Sequence, residues 1–505
     1  MIALDGKSLT LAGLIQIVNH GEAVSVAESA KAGVLKSRES VERVAKSGVK
    51  TYAINTGFGS LSSVTIGADK LETLQVNFLR SHCAGVGEPL TEWESRSMLA
   101  LRLNALAKGY SGVRLSVLEM LVLFLNHGVH PVIPCQGSVG SSGDLAPLAH
   151  LAITLMGEGE VFYQGERMDA SKALKAIGVE PLKLSYKEGL ALTNGTQYMT
   201  AMGASLLAKA EELSDLADLI CSASLDGLLG SPSAFDAWIH EARPHQGQKV
   251  SARNLKAFLK GSQIVDSHKD CDRVQDVYSL RCAPQVHGAC RDLFEFVRKT
   301  LEVELNSATD NPLVHPESGE IVSGGNFHGQ PLAFGLDILA MGLSELSSIS
   351  ERRTAKLINP SFSGLPAYLT KEEGLCSGYM IPQYTSASLV VENRTLCHPA
   401  STDSIPTSND KEDHNSMGPV SARKAKVILN NTAYVLAIEA LVACQALDLR
   451  APLKSGAGPA RLLTRVRKEI PTLVKDRVHT GDIEKVASWI RSGELHGLVK
   501  ELVPR

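Results

Sequence analysis

Gly137-Ser138-Val139-Gly140-Ser141-Ser142-Gly143-Asp144-Leu145-Ala146-Pro147-Leu148 is the stretch on which the reading of this 505-residue chain turns. Its first seven residues hold three glycines and three serines, and the chain then becomes apolar. Glycine takes positive φ and lets backbone approach backbone, so this composition predicts a sharply folded loop and not a strand. Asp144 is placed to cap a following helix, and Pro147 suits that helix's first turn. The spacing G-x-x-G-x-x-G is neither the G-x-G-x-x-G of a dinucleotide site nor a phosphate loop ending in Gly-Lys-Ser/Thr. Asp144 stands where a phosphate-binding lysine is wanted, and its charge repels phosphate. A G-x-S-x-G nucleophile elbow is absent as well. A plain turn, or a loop that does chemistry on itself, remains.

Working outward, the composition narrows the partners. A formal charge of −3 with 21% charged residues supplies no basic face for nucleic acid or an anionic membrane. The apolar run Leu121–Leu125 is too short to span a bilayer. Met1 to Lys7 lacks a charged region followed by an apolar one, so no secretory signal is expected. The nine cysteines form no C-x-x-C pair, a pattern that suits reduced thiols in the cytoplasm. No His/Cys cluster has zinc spacing, and His414 beside Asp413 and Glu412 is insufficient, so no metal is expected.

Periodicity predicts a mainly α chain: a long parallel/antiparallel helical bundle with a smaller mixed N-terminal region. Helices are expected over 24–47, 71–80, 92–109 and 115–126, a hairpin over 158–169 around Gln164-Gly165, and a helix end at Gly178. A helical run follows from about Gln197 to Leu229, which Asn194 could cap. Three long helices are expected over 292–307, 330–353 and 417–449. The last two are apolar nearly all round but carry Asp337, Glu345 and Glu439, which suits a bundle centre or a subunit interface better than lipid. Tyr278 and Arg281 are three apart, so one helical turn puts them on one face, with Pro284 making a sharp end. The tail from Lys454 reads as short peripheral helices.

Gly140-Ser141-Ser142-Gly143-Asp144-Leu145-Ala146-Pro147-Leu148 resembles the signature of the aromatic amino acid ammonia-lyases. Further blocks resemble that family in the same order along roughly residues 1–500: Thr51–Gly59, Ser81–Gly87, Leu192–Gln197, Gln275–Gln285 and Ser408–Gly418. The resemblance implies that Ser141-Ser142-Gly143 cyclises autocatalytically into 4-methylideneimidazol-5-one, with no external cofactor. The Gly143 amide nitrogen attacks the carbonyl carbon of Ser141, whose oxygen leaves as one water, and Ser142 loses its hydroxyl as a second. Glycine suits this because no Cβ blocks the approach. Ser141 departs from the usual alanine, but its side chain becomes only a ring substituent.

The same resemblance assigns the remaining roles. Tyr52 is the base, although an unperturbed phenol has a pKa of about 10, so its site must lower that value. Asn194 lies beside the ring and the substrate carboxylate, and Arg281 grips that carboxylate. Tyr278 joins the catalytic set; Gln275 and Phe327 join the substrate contacts. His82 occupies a selectivity position, followed by the small Cys83 as in histidine enzymes. Glu412 matches the glutamate of the histidine-enzyme motif Asn-Gln-Glu-Asp-His, although Asp410 and Lys411 depart from it. Lys411 is placed to pair with a nearby acid. The expectation is elimination of ammonia from L-histidine to give trans-urocanate, with Glu412 as substrate contact or general base. The alternatives are a tyrosine or phenylalanine ammonia-lyase or a 2,3-aminomutase on the same scaffold, or a helical scaffold without activity. Residues 1–190 form the ring-bearing region and 191–505 the helical region with the other site residues. The family also implies a homotetramer with shared active sites.

Overall fold

Where the chain turns helical, the cause is readable locally. Thr91 closes a reciprocal cap with Glu94 at the start of the helix Glu92–Ala107, each satisfying a backbone N–H of the other. Gln164 and Gly165 both take positive φ and turn the strand Glu160–Tyr163 back onto Glu166–Asp169, as expected. The computed structural model describes residues 1–47, 49–271 and 273–503. Over these the chain is mainly α, with 21 α-helices and only short strands.

Two compact units emerge, each drawn from three separate stretches. The first comprises 1–205, 298–337 and 399–423. It holds every strand among the described residues. Ile2–Leu4 pairs in parallel with Val24–Val26, so the expected helix over 24–47 begins only at Glu28. Val86–Pro89 pairs with Pro134–Gln136, and this small sheet leads directly into the Gly/Ser loop.

The second unit comprises 206–297, 338–398 and 424–505, and among the described residues it is built of helices and loops with no strand of its own. A buried ionic group lies at its centre. Glu439 accepts from Arg353 Nε at 2.5 Å, from Ser224 at 2.6 Å and from Ser350 at 2.5 Å, all fully buried. His287 donates through Nδ1 to Asp218 at 2.7 Å, and Arg291 bridges Asp215 and Asp218. Such a group is costly to desolvate and is held only because its polar atoms find partners. The charges that interrupt the apolar helices thus part company: Glu439 and Asp337 are buried and hydrogen-bonded, while Glu345 is exposed.

Gln330–Leu357 and Gly418–Leu449 are both long and apolar enough to cross a membrane by length and composition. Their most apolar windows are 72% and 83% buried inside the protein, as a core helix would be. The one-turn helix Tyr278–Arg281 ends just ahead of Pro284, as expected. Pro284 itself sits in the first turn of Ala283–Glu304, where a missing N–H costs nothing, so that helix starts well before the expected 292. Helices at Gln246–Phe258 and Met380–Leu396 carried no expectation from the sequence.

Candidate active site

The loop at 137–144 folds as sharply as its composition requires. Gly140 and Gly143 have φ of 71° and 76°. A Cβ on Gly143 would lie 2.1 Å from the Gly195 carbonyl oxygen, so no other residue fits. Gly143 pairs with Gly195 in a single parallel bridge, and Asp144 N donates to Gly195 O at 2.6 Å. Among the described residues the Gly143 N–H donates to no protein acceptor, which leaves its nitrogen available to the Ser141 carbonyl. Asn194 contributes a buried Oδ1 without a hydrogen-bond partner. A free glycine amide and an orphaned acceptor on the residue before Gly195 fit the ring that the triplet would form.

Asp144 corrects the sequence reading. Its side chain makes no cap to the helix Leu145–Leu155 that follows it. Instead Oδ2 accepts from Tyr198 N at 2.9 Å and Met199 N at 3.1 Å, in the first turn of Gln197–Gly227. Burial pushes this carboxyl up to about 8 against the pull of those two N–H groups. Asn194, the expected cap of that helix, instead ends the short helix Glu188–Thr193.

Glu412 brings together three further candidates of the first unit, Ser142, Tyr52 and His82. Ser142 Oγ lies 3.4 Å from Glu412 Oε1, and Thr407 Oγ1 donates to Oε2 at 2.8 Å. The carboxylate acts on the titration of both Tyr52 and His82, which puts all four candidates in one electrostatic neighbourhood. His82 Nδ1 lies 2.8 Å from the Phe78 carbonyl, which can only accept, so this nitrogen carries the proton and Nε2 is left as an acceptor. Burial, the larger cause, lowers the His82 pKa, so the ring is neutral near pH 7. His82 packs at a tilt against Phe78, with centroids 3.9 Å apart, and Phe78 likewise against Phe58 at 4.2 Å.

Tyr52 departs from expectation. Burial raises its pKa above 10, the charges of Glu412 and Asp310 raise it further, and the Gly59 N–H donated to its oxygen only partly offsets them. The departures at 410 and 411 also find an account. Asp410 has φ of 60°, a left-handed conformation that Asn and Asp tolerate better than most residues, so exchanging one for the other is cheap. Lys411 is exposed and forms no ion pair among the described residues, contrary to expectation. Phe327 is half-buried in the turn before the helix at Gln330.

Gln275, Tyr278 and Arg281 belong to the second unit. As the three-residue spacing requires, Tyr278 and Arg281 share the one-turn helix Tyr278–Arg281, with the guanidinium 4.6 Å from the phenol ring centroid. Arg281 Nη2 donates to Gln275 Oε1 at 2.9 Å and Nε to the Asp276 carbonyl at 3.2 Å. Sequence reasoning passed over Thr407 and Asn415, which orient Glu412. Their only signal was proximity to the charged run. No group of three or more His, Cys, Asp and Glu among the described residues is arranged to hold a metal.

The profile described as aromatic amino acid lyase matches residues 9–468. The chain belongs to the aromatic amino acid lyase family. Within this family it is 52% identical to a histidine ammonia-lyase of Stigmatella aurantiaca over 497 residues, 98% of each chain. The fold superposes on histidine ammonia-lyase from Trypanosoma cruzi with a TM-score of 0.91 at 44% identity, covering 100% of this chain and 96% of that one. Tyrosine aminomutase from Streptomyces globisporus gives 0.94 at 39% identity, covering 100% and 99%. Lyase family membership thus extends across nearly the whole chain and includes both lyase and mutase chemistry among its structural relatives.

Proposed function

We propose that this chain eliminates ammonia from L-histidine to give trans-urocanate. The observation that carries the proposal is that Glu412 and His82 lie in one neighbourhood, each with an acceptor to offer. Glu412 offers a carboxylate oxygen beside Ser142, and His82 offers a neutral Nε2 acceptor. An imidazole brings one N–H when neutral and two when protonated, so it can satisfy one or both acceptors. A phenyl ring would leave both unpaired in a closed site, which costs about 1–3 kcal/mol for each neutral group and more for a charged one.

Elimination must remove a weakly acidic β-hydrogen and expel a poor leaving group. The ring made from Ser141, Ser142 and Gly143 supplies an electrophile that no natural side chain provides. The other residues bind, orient and move protons. Arg281 holds the substrate carboxylate through its planar fork, with Asn194, Gln275, Tyr278 and Phe327 completing the contacts. Tyr52 takes the β-proton. In its resting environment it is a weaker acid than a free phenol, so this role depends on positive charge arriving with the substrate or from a neighbouring subunit. A homotetramer with shared active sites would supply such a neighbour. Exposed Phe334 and Met341 on one long helix, and Ile381, Tyr384 and Val391 on another, are consistent with helical subunit contacts.

The test is to assay purified protein with L-histidine, L-tyrosine and L-phenylalanine in parallel, with product analysis and intact mass. L-Histidine should have the highest kcat/KM, with urocanate as product, and the chain should be lighter than its sequence by two waters. A preference for tyrosine would reject the substrate assignment. A β-amino acid product would favour the mutase reading that the aminomutase likeness keeps in view. An unmodified mass in active protein would reject the ring.

A further inference from the structure

The segment that presents Glu412 is built at unusual cost. Ser408, Asn409 and Asp410 follow one another in the left-handed region, with φ of 53°, 52° and 60°. Three such residues in succession persist only where their surroundings over-determine them. Here the surroundings are specific. Thr407 N donates to Glu412 O at 2.9 Å and Glu412 N to Thr407 O at 3.3 Å, closing the turn. The buried Asn415 braces it from within, donating to Ile405 O at 2.6 Å and Thr407 Oγ1 at 3.2 Å. Ser408 Oγ accepts from Ser60 N at 3.3 Å, tying the turn to the loop that carries Tyr52.

This arrangement sets the direction of one proton. Thr407 Oγ1 receives a hydrogen bond from Asn415, so its own hydrogen is directed to Glu412 Oε2. With Oε2 engaged, Oε1 is the oxygen that faces Ser142. A free glutamate rotates about its terminal torsion with little preference. The charge-assisted bond from Thr407 removes that freedom.

We propose that Thr407 is a positioning residue for substrate selection. Its hydroxyl holds the Glu412 carboxylate in the orientation that accepts an imidazole N–H. The strained turn exists to bring that hydroxyl and that carboxylate together. The proposal rests on the reading of Glu412 as a contact to the substrate imidazole. It adds that the contact is set by a residue that does not itself touch the substrate.

Thr407→Val removes the hydroxyl while keeping the shape, and Thr407→Ser keeps the hydroxyl. Both would be compared with wild type as full-length protein whose intact mass shows the loss of two waters. The readouts are kcat and KM for L-histidine, and L-phenylalanine as substrate or competitive inhibitor. Valine should cost roughly tenfold in kcat/KM for histidine, seen mainly in KM, and leave phenylalanine unchanged. Serine should restore most of the loss. In a Glu412→Gln background, valine should add less than about twofold, because the hydroxyl acts through the carboxylate. If valine prevents folding, Thr407→Ala takes its place against the same serine control. Wild-type histidine kinetics in the valine variant, equal losses on both ligands, or failure of serine to restore would each overturn the proposal. If Glu412→Gln itself spares histidine turnover, the underlying reading of Glu412 falls. If Glu412→Gln is damaging and Thr407→Val is silent, only the role of Thr407 falls.

Discussion

Arg281, the proposed grip on the substrate carboxylate, is oriented by its neighbours without being neutralised. It forms no salt bridge among the described residues; its bonds go to a neutral amide and a backbone carbonyl, and its face lies against Tyr278. These contacts orient the fork without neutralising it, so the charge remains available to a carboxylate. Arg281→Lys keeps the charge but loses the planar, bidentate geometry. One charge-assisted hydrogen bond is worth roughly 1.5–3 kcal/mol, so kcat/KM for histidine should fall about ten- to a hundredfold. Unchanged steady-state kinetics in Arg281→Lys would show that the carboxylate binds elsewhere. His82 is prepared in the same sense: the Phe78 carbonyl sets its tautomer, and burial keeps it neutral.

Between elements, Asp144 is the clearest link. Its backbone starts one helix, with Leu148 N donating to Asp144 O at 3.0 Å, while its side chain caps another 54 residues along. The Gly/Ser loop, the Asn194 turn and the start of Gln197–Gly227 are thereby fastened at one residue. Asp144→Ala would leave two buried N–H groups without an acceptor. A lost N-cap typically costs about 1 kcal/mol, and each unsatisfied buried donor about 1–3 kcal/mol. The denaturation midpoint should drop accordingly, and Asp144→Asn, which keeps an acceptor oxygen, should recover much of the loss. An alanine variant as stable as wild type would mean that those N–H groups find other partners.

At the level of the whole molecule, buried histidines should make stability depend on pH. Burial lowers the pKa of His82, His150, His240, His287 and His479, and brings His130 down to about 4. Below about 6.5 the unfolded chain takes up protons that the folded chain refuses, so these groups remove stability as pH falls from about 6.5 toward 4. Asp144 and Asp226, raised to about 8 and about 6, act in the opposite sense over overlapping ranges. The contribution of His130 is therefore read as a difference. Between pH 7 and 5, Tm of a His130→Gln variant should fall less than that of wild type. Parallel curves would show that His130 takes up its proton in the folded state as readily as in the unfolded one.

Much of the local structure around the candidate residues was legible from residue types and spacing. The Gly/Ser loop had to turn sharply, because glycine at three-residue intervals has few other uses. Tyr278 and Arg281 had to share a face once their turn was helical, and Gln164-Gly165 had to reverse a hairpin. These are local facts, decided within a few residues by backbone sterics and helical period. The direction of the Tyr52 pKa, the true target of the Asp144 side chain and the hold of Thr407 on Glu412 depended instead on three-dimensional surroundings. Tyr52 responds to burial and to carboxylates at 310 and 412. Asp144 passes over the helix beside it for one whose first turn begins at 197. The left-handed run at 408–410 has no glycine to announce it and persists because Thr407, Asn415 and Ser60 hold it in place. Desolvation and hydrogen-bond partnership depend on which distant residues the fold brings close, and for that reason the tertiary structure alone decided them.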